Sequence, residues 1–324
     1  MTRKEIWVIV ERNEDEIEDV SLEILGKLTI LAKSSGYKVV GIVLGTSNES
    51  VLRDVIRYGA DKVILMKHER LNEYSNDLYS KVLFDLASSE FPTALLIGAT
   101  YYGRDLAGRL AARLRTGLTA NAINLKMDEE GLLVFGVPAY GGKIMAEIVC
   151  ERARPQMSTV RPGTFTKFFD QDRKGEIVEV IPDLSSIQDR VRVIERKVTK
   201  SKDLTKSERT IVGGNGIGGD LSMVRRLAEL TNSDVGVTRP LADKGLAPRD
   251  LQVGTTGYSL KSRLTLILGV SGSEHFTSGI RDCGTVISVD IDKESEIFNH
   301  SDYCVVGDVA EIVPAVIKKL EEKR

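Results

Sequence analysis

The residues best suited to chemistry sit in short clusters of glycine, hydroxyl and acidic side chains in the last third of the chain, each close behind an apolar run. Gly213-Gly214-Asn215-Gly216-Ile217-Gly218-Gly219-Asp220 satisfies G-x-G-x-x-G through Gly214, Gly216 and Gly219, a spacing that lets backbone approach a phosphate. Asp234 follows where such folds keep a ribose-binding acid, but it precedes a strand rather than ending one, so tight packing of a β–α turn competes with a ligand loop. Val237-Thr238-Arg239-Pro240 offers a hydroxyl and a guanidinium for a ring edge or an anion, against a simple helix cap at Thr238. Gln252-Val253-Gly254-Thr255-Thr256-Gly257 pairs backbone amides with two hydroxyls, a phosphate cradle without a lysine; no Walker motif accompanies it, which argues against nucleotide hydrolysis. Gly269-Val270-Ser271-Gly272-Ser273-Glu274-His275-Phe276 misses a nucleophile elbow because Ser273 stands where glycine is needed, and its neighbouring Ser and His cannot readily pair as nucleophile and base. A loop feeding a helix N-terminus at a pyrophosphate is the better reading. Asp290 and Asp308, each after a strand, suit ribose hydroxyls or helix N-caps equally.

These clusters need strands to present them. Apolar runs at 209–213, 235–237, 264–269, 285–289 and 303–306 alternate with helical patterns at 221–231 and 309–322, which predicts a doubly wound α/β unit with ligands at the carboxyl ends of its strands. The first half alternates in the same way: strands at 6–10, 38–44, 62–66 and 94–98, with helices ending near 35, 59, 88 and 115. Short strands at 122–126, 132–137, 144–150, 156–160 and 177–180 are expected to continue that first sheet, partly antiparallel. The expected organisation is an N-terminal α/β domain at 1–190, a polar linker at 191–206 and a ligand-binding α/β domain at 207–324.

Composition narrows the class. The 324 residues are 42% hydrophobic and 28% charged, and 45 Lys and Arg nearly balance 47 Asp and Glu, so no global charge recruits nucleic acid or an anionic membrane. The longest apolar runs are too short to span a bilayer, and the first residues enter a strand with no signal-like segment. Three scattered cysteines, Cys150, Cys283 and Cys304, fit reduced thiols and a cytoplasmic setting, and with three histidines they leave little for metal chemistry.

Taken in order, the clusters resemble the alpha subunit of electron-transfer flavoproteins. The family's GGRG-like loop, Ser/Thr-Arg pair, DLQVGQTG, GISGAIQH, strand-end Asn and YGLVGD segments have counterparts here. They are Gly213 to Gly216, Thr238-Arg239, Asp250 to Gly257, Gly269 to Phe276, Ile287 to Asp290, and Tyr303 to Asp308. In the first half, Gly98 to Leu106, Ala111 to Leu114, Thr116 to Ala120 and Arg154 to Gly163 are similar to the same family, so the resemblance spans nearly the whole chain.

The resemblance implies an FAD bound by Gly214, Asn215, Thr238, Arg239, Val253, Gly254, Thr255, Thr256, Ser271, Gly272, Ser273, Glu274, His275, Phe276, Asp290, Asp308 and Val309. Thr238 would hydrogen-bond near flavin N5 with Arg239 close to the ring. Residues 253–256 and 271–276 would wrap the ribityl chain and pyrophosphate, and Asp290 and Asp308 would face the adenosine. It further implies a heterodimer with a beta subunit that carries electrons from a flavin dehydrogenase, such as an acyl-CoA dehydrogenase, to a quinone oxidoreductase or ferredoxin-linked acceptor, with electron bifurcation as a variant. Three positions depart from the family pattern: its GGRG arginine is Asn215, its histidine falls on Phe276 with His275 one place earlier, and its QTGK segment is Thr255-Thr256-Gly257-Tyr258. Loss of a cation near the ring is expected to lower the flavin potential by on the order of 100 mV. A nicotinamide-dependent oxidoreductase using the Gly214–Gly219 loop, and a nucleotide-binding module that has lost flavin, stay open as alternatives.

Overall fold

A computed structural model describes residues 3–13, 15–140, 144–185, 187, 190, 191, 193, 194 and 203–322. The chain separates into two compact units, Met1–Arg196 and Lys197–Arg324. Most of the expected linker at 191–206 lies outside the described residues.

In the first unit, β1 (Arg3–Ile9), β4 (Lys38–Leu44), β5 (Lys62–Met66), β6 (Pro92–Gly98), β7 (Leu118–Ala122), β11 (Gln156–Val160) and β12 (Glu176–Val180) form one seven-stranded sheet in the order β12-β5-β4-β1-β6-β11-β7. Every neighbouring pair in it is parallel. Period-two side-chain alternation divides its strands between two cores. Ile6, Val8 and Val10 face α1 (Asp19–Ser35) and α2 (Glu49–Arg57), while Trp7 and Ile9 face α3 (Asn76–Glu90) and α4 (Tyr101–Leu114). A two-residue ribbon, β2 (Arg12–Asn13) with β3 (Glu16–Ile17), closes the turn between β1 and α1.

The expectation that the middle strands extend this sheet needs correcting. The expected strands at 156–160 and 177–180 do join it as β11 and β12, in parallel and together with the unexpected β7, but β8 (Asn124–Met127), β9 (Leu133–Ala139) and β10 (Ile144–Val149) form a separate antiparallel sheet. Short connections favour antiparallel pairing of sequential strands. Leu125, Leu133 and Phe135 of this sheet bury themselves on the α1 side of the core. Buried Gln156 ties the two sheets together: its amide donates to the Leu133 carbonyl and accepts from the Leu133 N–H, both at 3.0 Å.

In the second unit, β13 (Arg209–Gly213), β14 (Asp234–Val237), β15 (Leu264–Leu268), β16 (Thr285–Asp290) and β17 (Tyr303–Val306) build a parallel sheet in the order β14-β13-β15-β16-β17. α5 (Ser222–Thr231), α6 (Arg239–Asp243) and α8 (Val309–Glu321) cover one face, packing Val224, Leu227, Leu241 and Val313 against Ile211, Leu268 and Val289. Among the described residues, the opposite face carries no long helix. Loops and the four-residue α7 (Glu274–Thr277) bury Val212, Ile267 and Val286 there under Val253, Leu260, Phe276, Ile280 and Ile297. Both units are therefore doubly wound, Rossmann-like α/β folds. Among the described residues, no helix is long and apolar enough to cross a membrane.

Candidate functional site

The chain passes from β13 to β14 on one side and then from β14 to β15 on the other side of β13, so the strand order reverses between β13 and β15. In open α/β sheets a ligand crevice forms outside the carboxyl ends of the strands at such a reversal. All the chemistry-bearing clusters lie on that edge. Backbone hydrogen bonds carry the sheet's order beyond the strands: Thr238 N donates to Gly213 O (3.0 Å), Gly214 N to Leu268 O (2.8 Å), Gly216 N to Gly269 O (2.9 Å), Gly269 N to Val289 O (2.9 Å) and Gly307 N to Asp290 O (3.0 Å). The result is one continuous edge of connected loops.

Close approach explains the glycines of the first loop. A Cβ on Gly214 would overlap the Gly269 carbonyl oxygen, and one on Gly216 would lie 2.8 Å from the Gly269 Cα. Packing of loop against loop is thus a firm role for these glycines, and it brings the two sides of the reversal into contact. Asp234 begins β14 at the opposite end of the sheet, where it accepts from Ser207 Oγ (2.5 Å), which removes it from any ribose role here.

Thr238 is the most informative side chain. It occupies the N-cap position of α6 yet makes no capping hydrogen bond; only 6% of the residue is exposed, and Oγ1 has no hydrogen-bond partner among the described residues. A buried hydroxyl without a partner costs roughly 1–3 kcal/mol, so Thr238 does not act as a side-chain cap and its hydroxyl is open to a bound group. Arg239 is exposed beside it, Nε donating to Asp243 Oδ2 at 3.1 Å. Asn215 is exposed on the neighbouring loop, where its Oδ1 accepts from Lys244 Nζ at 2.6 Å.

The remaining cluster residues close the edge from above. Val253 N donates to Val237 O (2.9 Å), placing the Gln252–Tyr258 loop next to β14, and Thr255 N donates to His275 O (2.8 Å), joining it to the loop after β15. Gly254 needs its residue type twice over: its φ is +127°, and a Cβ there would lie 2.5 Å from the His275 carbonyl oxygen. Thr255 Oγ1 pairs with Ser278 Oγ (2.8 Å), and Gln252 Nε2 donates to Thr256 Oγ1 (2.7 Å). Ser271, Ser273, Glu274 and His275 are exposed and Gly272 is buried. The helix expected to point at a pyrophosphate after this loop is only the four residues of α7, and Glu274 stands at its start.

Asp290 Oδ1 accepts from Asp292 N (2.9 Å), a local turn at the end of β16, while Asp308 caps α8 by accepting from Ala310 N (2.8 Å). Val253, Phe276 and Val309 send their side chains into the core, at 2%, 4% and 3% exposure, because each alternates with or caps an element whose inner face is apolar. Only their backbones reach the edge. Ser278 is the participant that no sequence motif singled out; it and Lys244 meet their partners, Thr255 and Asn215, across 23 and 29 residues, contacts that no local spacing encodes.

Two family models cover most of the chain: the electron transfer flavoprotein domain matches residues 6–185, and the electron transfer flavoprotein FAD-binding domain matches residues 203–281. The electron transfer flavoprotein subunit alpha of Thermoanaerobacterium thermosaccharolyticum is 35% identical over 324 residues, covering 98% of both chains. The chain belongs to the electron transfer flavoprotein alpha-subunit family. The Clostridium acetobutylicum subunit alpha is similar at 36% identity, over 98% of this chain and 97% of its own. Acetobacterium woodii has a 35% identical relative described as lactate dehydrogenase (NAD(+),ferredoxin) subunit LctC, over 98% of this chain and 77% of the relative. As a family member the chain is an electron-transfer flavoprotein subunit, and its cofactor is FAD. The edge just described fits that group: it offers an unpartnered buried hydroxyl at Thr238, a strand-order reversal bridged by glycines, and hydroxyl-bearing loops across it.

Proposed function

We propose that the carboxyl edge of the C-terminal sheet is where this chain grips FAD, working as the alpha half of a heterodimer with an electron-transfer flavoprotein beta subunit. The observation that carries the reading is the buried Thr238 Oγ1, which lacks a partner among the described residues at the reversal between β13 and β15. When bound, FAD supplies the electron-accepting and electron-donating chemistry, and the protein supplies binding, orientation and electrostatics. Thr238 gives a hydroxyl to the flavin ring edge, and Arg239 and Asn215 flank it on the two adjoining loops. The loops at 253–256 and 271–276 hold the middle of the molecule through backbone and hydroxyl groups, and Asp290 and Asp308 face its adenosine end. Asp308 retains acceptor capacity for a ribose, since its cap uses one carboxylate oxygen.

Electrons pass from a flavin dehydrogenase, of which an acyl-CoA dehydrogenase is one candidate, to a quinone oxidoreductase or a ferredoxin-linked acceptor. The Acetobacterium woodii relative, whose description joins NAD(+) and ferredoxin, supports a bifurcating variant as the second reading.

Thr238→Val tests the site because it removes the hydroxyl while keeping shape. In the flavin-free protein it is expected to raise stability by about 1 kcal/mol, since an unsatisfied buried group disappears. FAD affinity of the heterodimer, measured by fluorescence titration, is expected to fall about tenfold, the loss of one hydrogen bond. Unchanged affinity would remove Thr238 from the site.

A further inference from the structure

The helix α6 and the turns after it hold an imbalance of charge. Asp243 accepts from Arg239 Nε at 3.1 Å and lies 3.3 Å from Arg249 Nη2, so one carboxylate serves two guanidinium groups. Lys244, next in sequence, pairs with no carboxylate among the described residues. Its ammonium instead donates to Asn215 Oδ1, 29 residues away, on the tip of the Gly214–Gly219 loop. A neutral amide oxygen orients the charge without cancelling it. The positive charge is therefore held, uncompensated, on the edge where Thr238 presents its unpartnered hydroxyl.

We infer that Lys244, held by Asn215, is the residue that supplies the cation of the Gly214–Gly219 loop and raises the reduction potential of the bound flavin. This rests on the placement of FAD proposed above. Reduced flavin carries more negative charge than oxidised flavin, so a fixed cation nearby favours the reduced form, and the potential reports that difference in affinity. Asn215 by itself suggests a lost cation and a low potential. The Lys244 contact reverses that expectation by delivering a charge from another element. Asn215 is the positioning residue here, and Lys244 acts through its charge and takes no part in covalent chemistry. Because it is exposed, its effect is screened by salt.

The experiment is a dye-equilibrated redox titration of the purified heterodimer with its flavin, at low and high salt, together with a flavin count. Lys244→Gln is expected to keep one FAD per alpha chain and to weaken binding of reduced relative to oxidised FAD about tenfold, read as a shift of ~30 mV to a lower two-electron midpoint, smaller at high salt. Lys244→Arg should keep the wild-type midpoint, and Asn215→Asp, which neutralises the lysine in place, should shift it in the same direction as Lys244→Gln. An unchanged midpoint in Lys244→Gln at full flavin content overturns the inference while leaving the FAD site standing. If Lys244→Gln loses flavin, the midpoint of Asn215→Asp decides in the same way. A wild-type heterodimer that takes up no FAD defeats the FAD site and this inference together.

Discussion

Two buried oxygen-bearing side chains, one in each unit, show how local chemistry is set by what surrounds it. Thr238 Oγ1 has no hydrogen-bond partner among the described residues. Glu11, just after β1, has a partner for one oxygen: Thr100 Oγ1 donates to its Oε2 at 2.5 Å, and the same hydroxyl accepts from Gly103 N at the start of α4, while Oε1 has no hydrogen-bond partner among the described residues. Burial pushes the Glu11 carboxyl up to about 7, opposed by the Thr100 hydrogen bond and assisted by repulsion from Glu18. A folded-state value above the unfolded one means that the folded protein binds the extra proton. Stability from this group is thus complete below about pH 4.5 and is lost as pH rises through about 7. Glu11→Gln keeps an acceptor for Thr100 and cannot ionise. Relative to wild type, its unfolding midpoint should gain several degrees between pH 5 and pH 8; a constant difference across that range would contradict the assignment.

Among the elements, strands and long helices were legible because their apolar residues repeat with periods of two and 3.6. The runs at 38–44, 62–66, 156–160, 209–213 and 303–306 match β4, β5, β11, β13 and β17 residue for residue. α6 and α7, at five and four residues, are too short to show a period. The separate β8–β9–β10 sheet could not be told from a continuation of the main one, since strand partners are chosen by contacts that single-strand patterning does not record. The candidate site was legible as an ordered set of loops, while the inward turn of Phe276 and the Lys244–Asn215 contact depend on tertiary packing. The glycine loop was legible as a motif but not as a packing device. Gly214→Ala tests the second role: its methyl would displace Gly269, costing about 1–3 kcal/mol in denaturant unfolding and most of the FAD retention. Wild-type stability and flavin content in that variant would show that the two loops can part freely.

For the molecule as a whole, each unit buries its own pair of cores on the two faces of a parallel sheet, and the proposed FAD edge belongs to the second unit alone. FAD at 100 times its dissociation constant should therefore stabilise the unit that binds it by about 2.7 kcal/mol, visible as a concentration-dependent rise in its unfolding temperature. Amide hydrogen exchange of the heterodimer with and without FAD tests the placement most directly. Added protection should concentrate in residues 214–219, 253–256, 271–276, 290–292 and 307–309, the loops after the parallel strands. Protection confined to other surfaces, with these loops exchanging as fast as in the flavin-free protein, would contradict it.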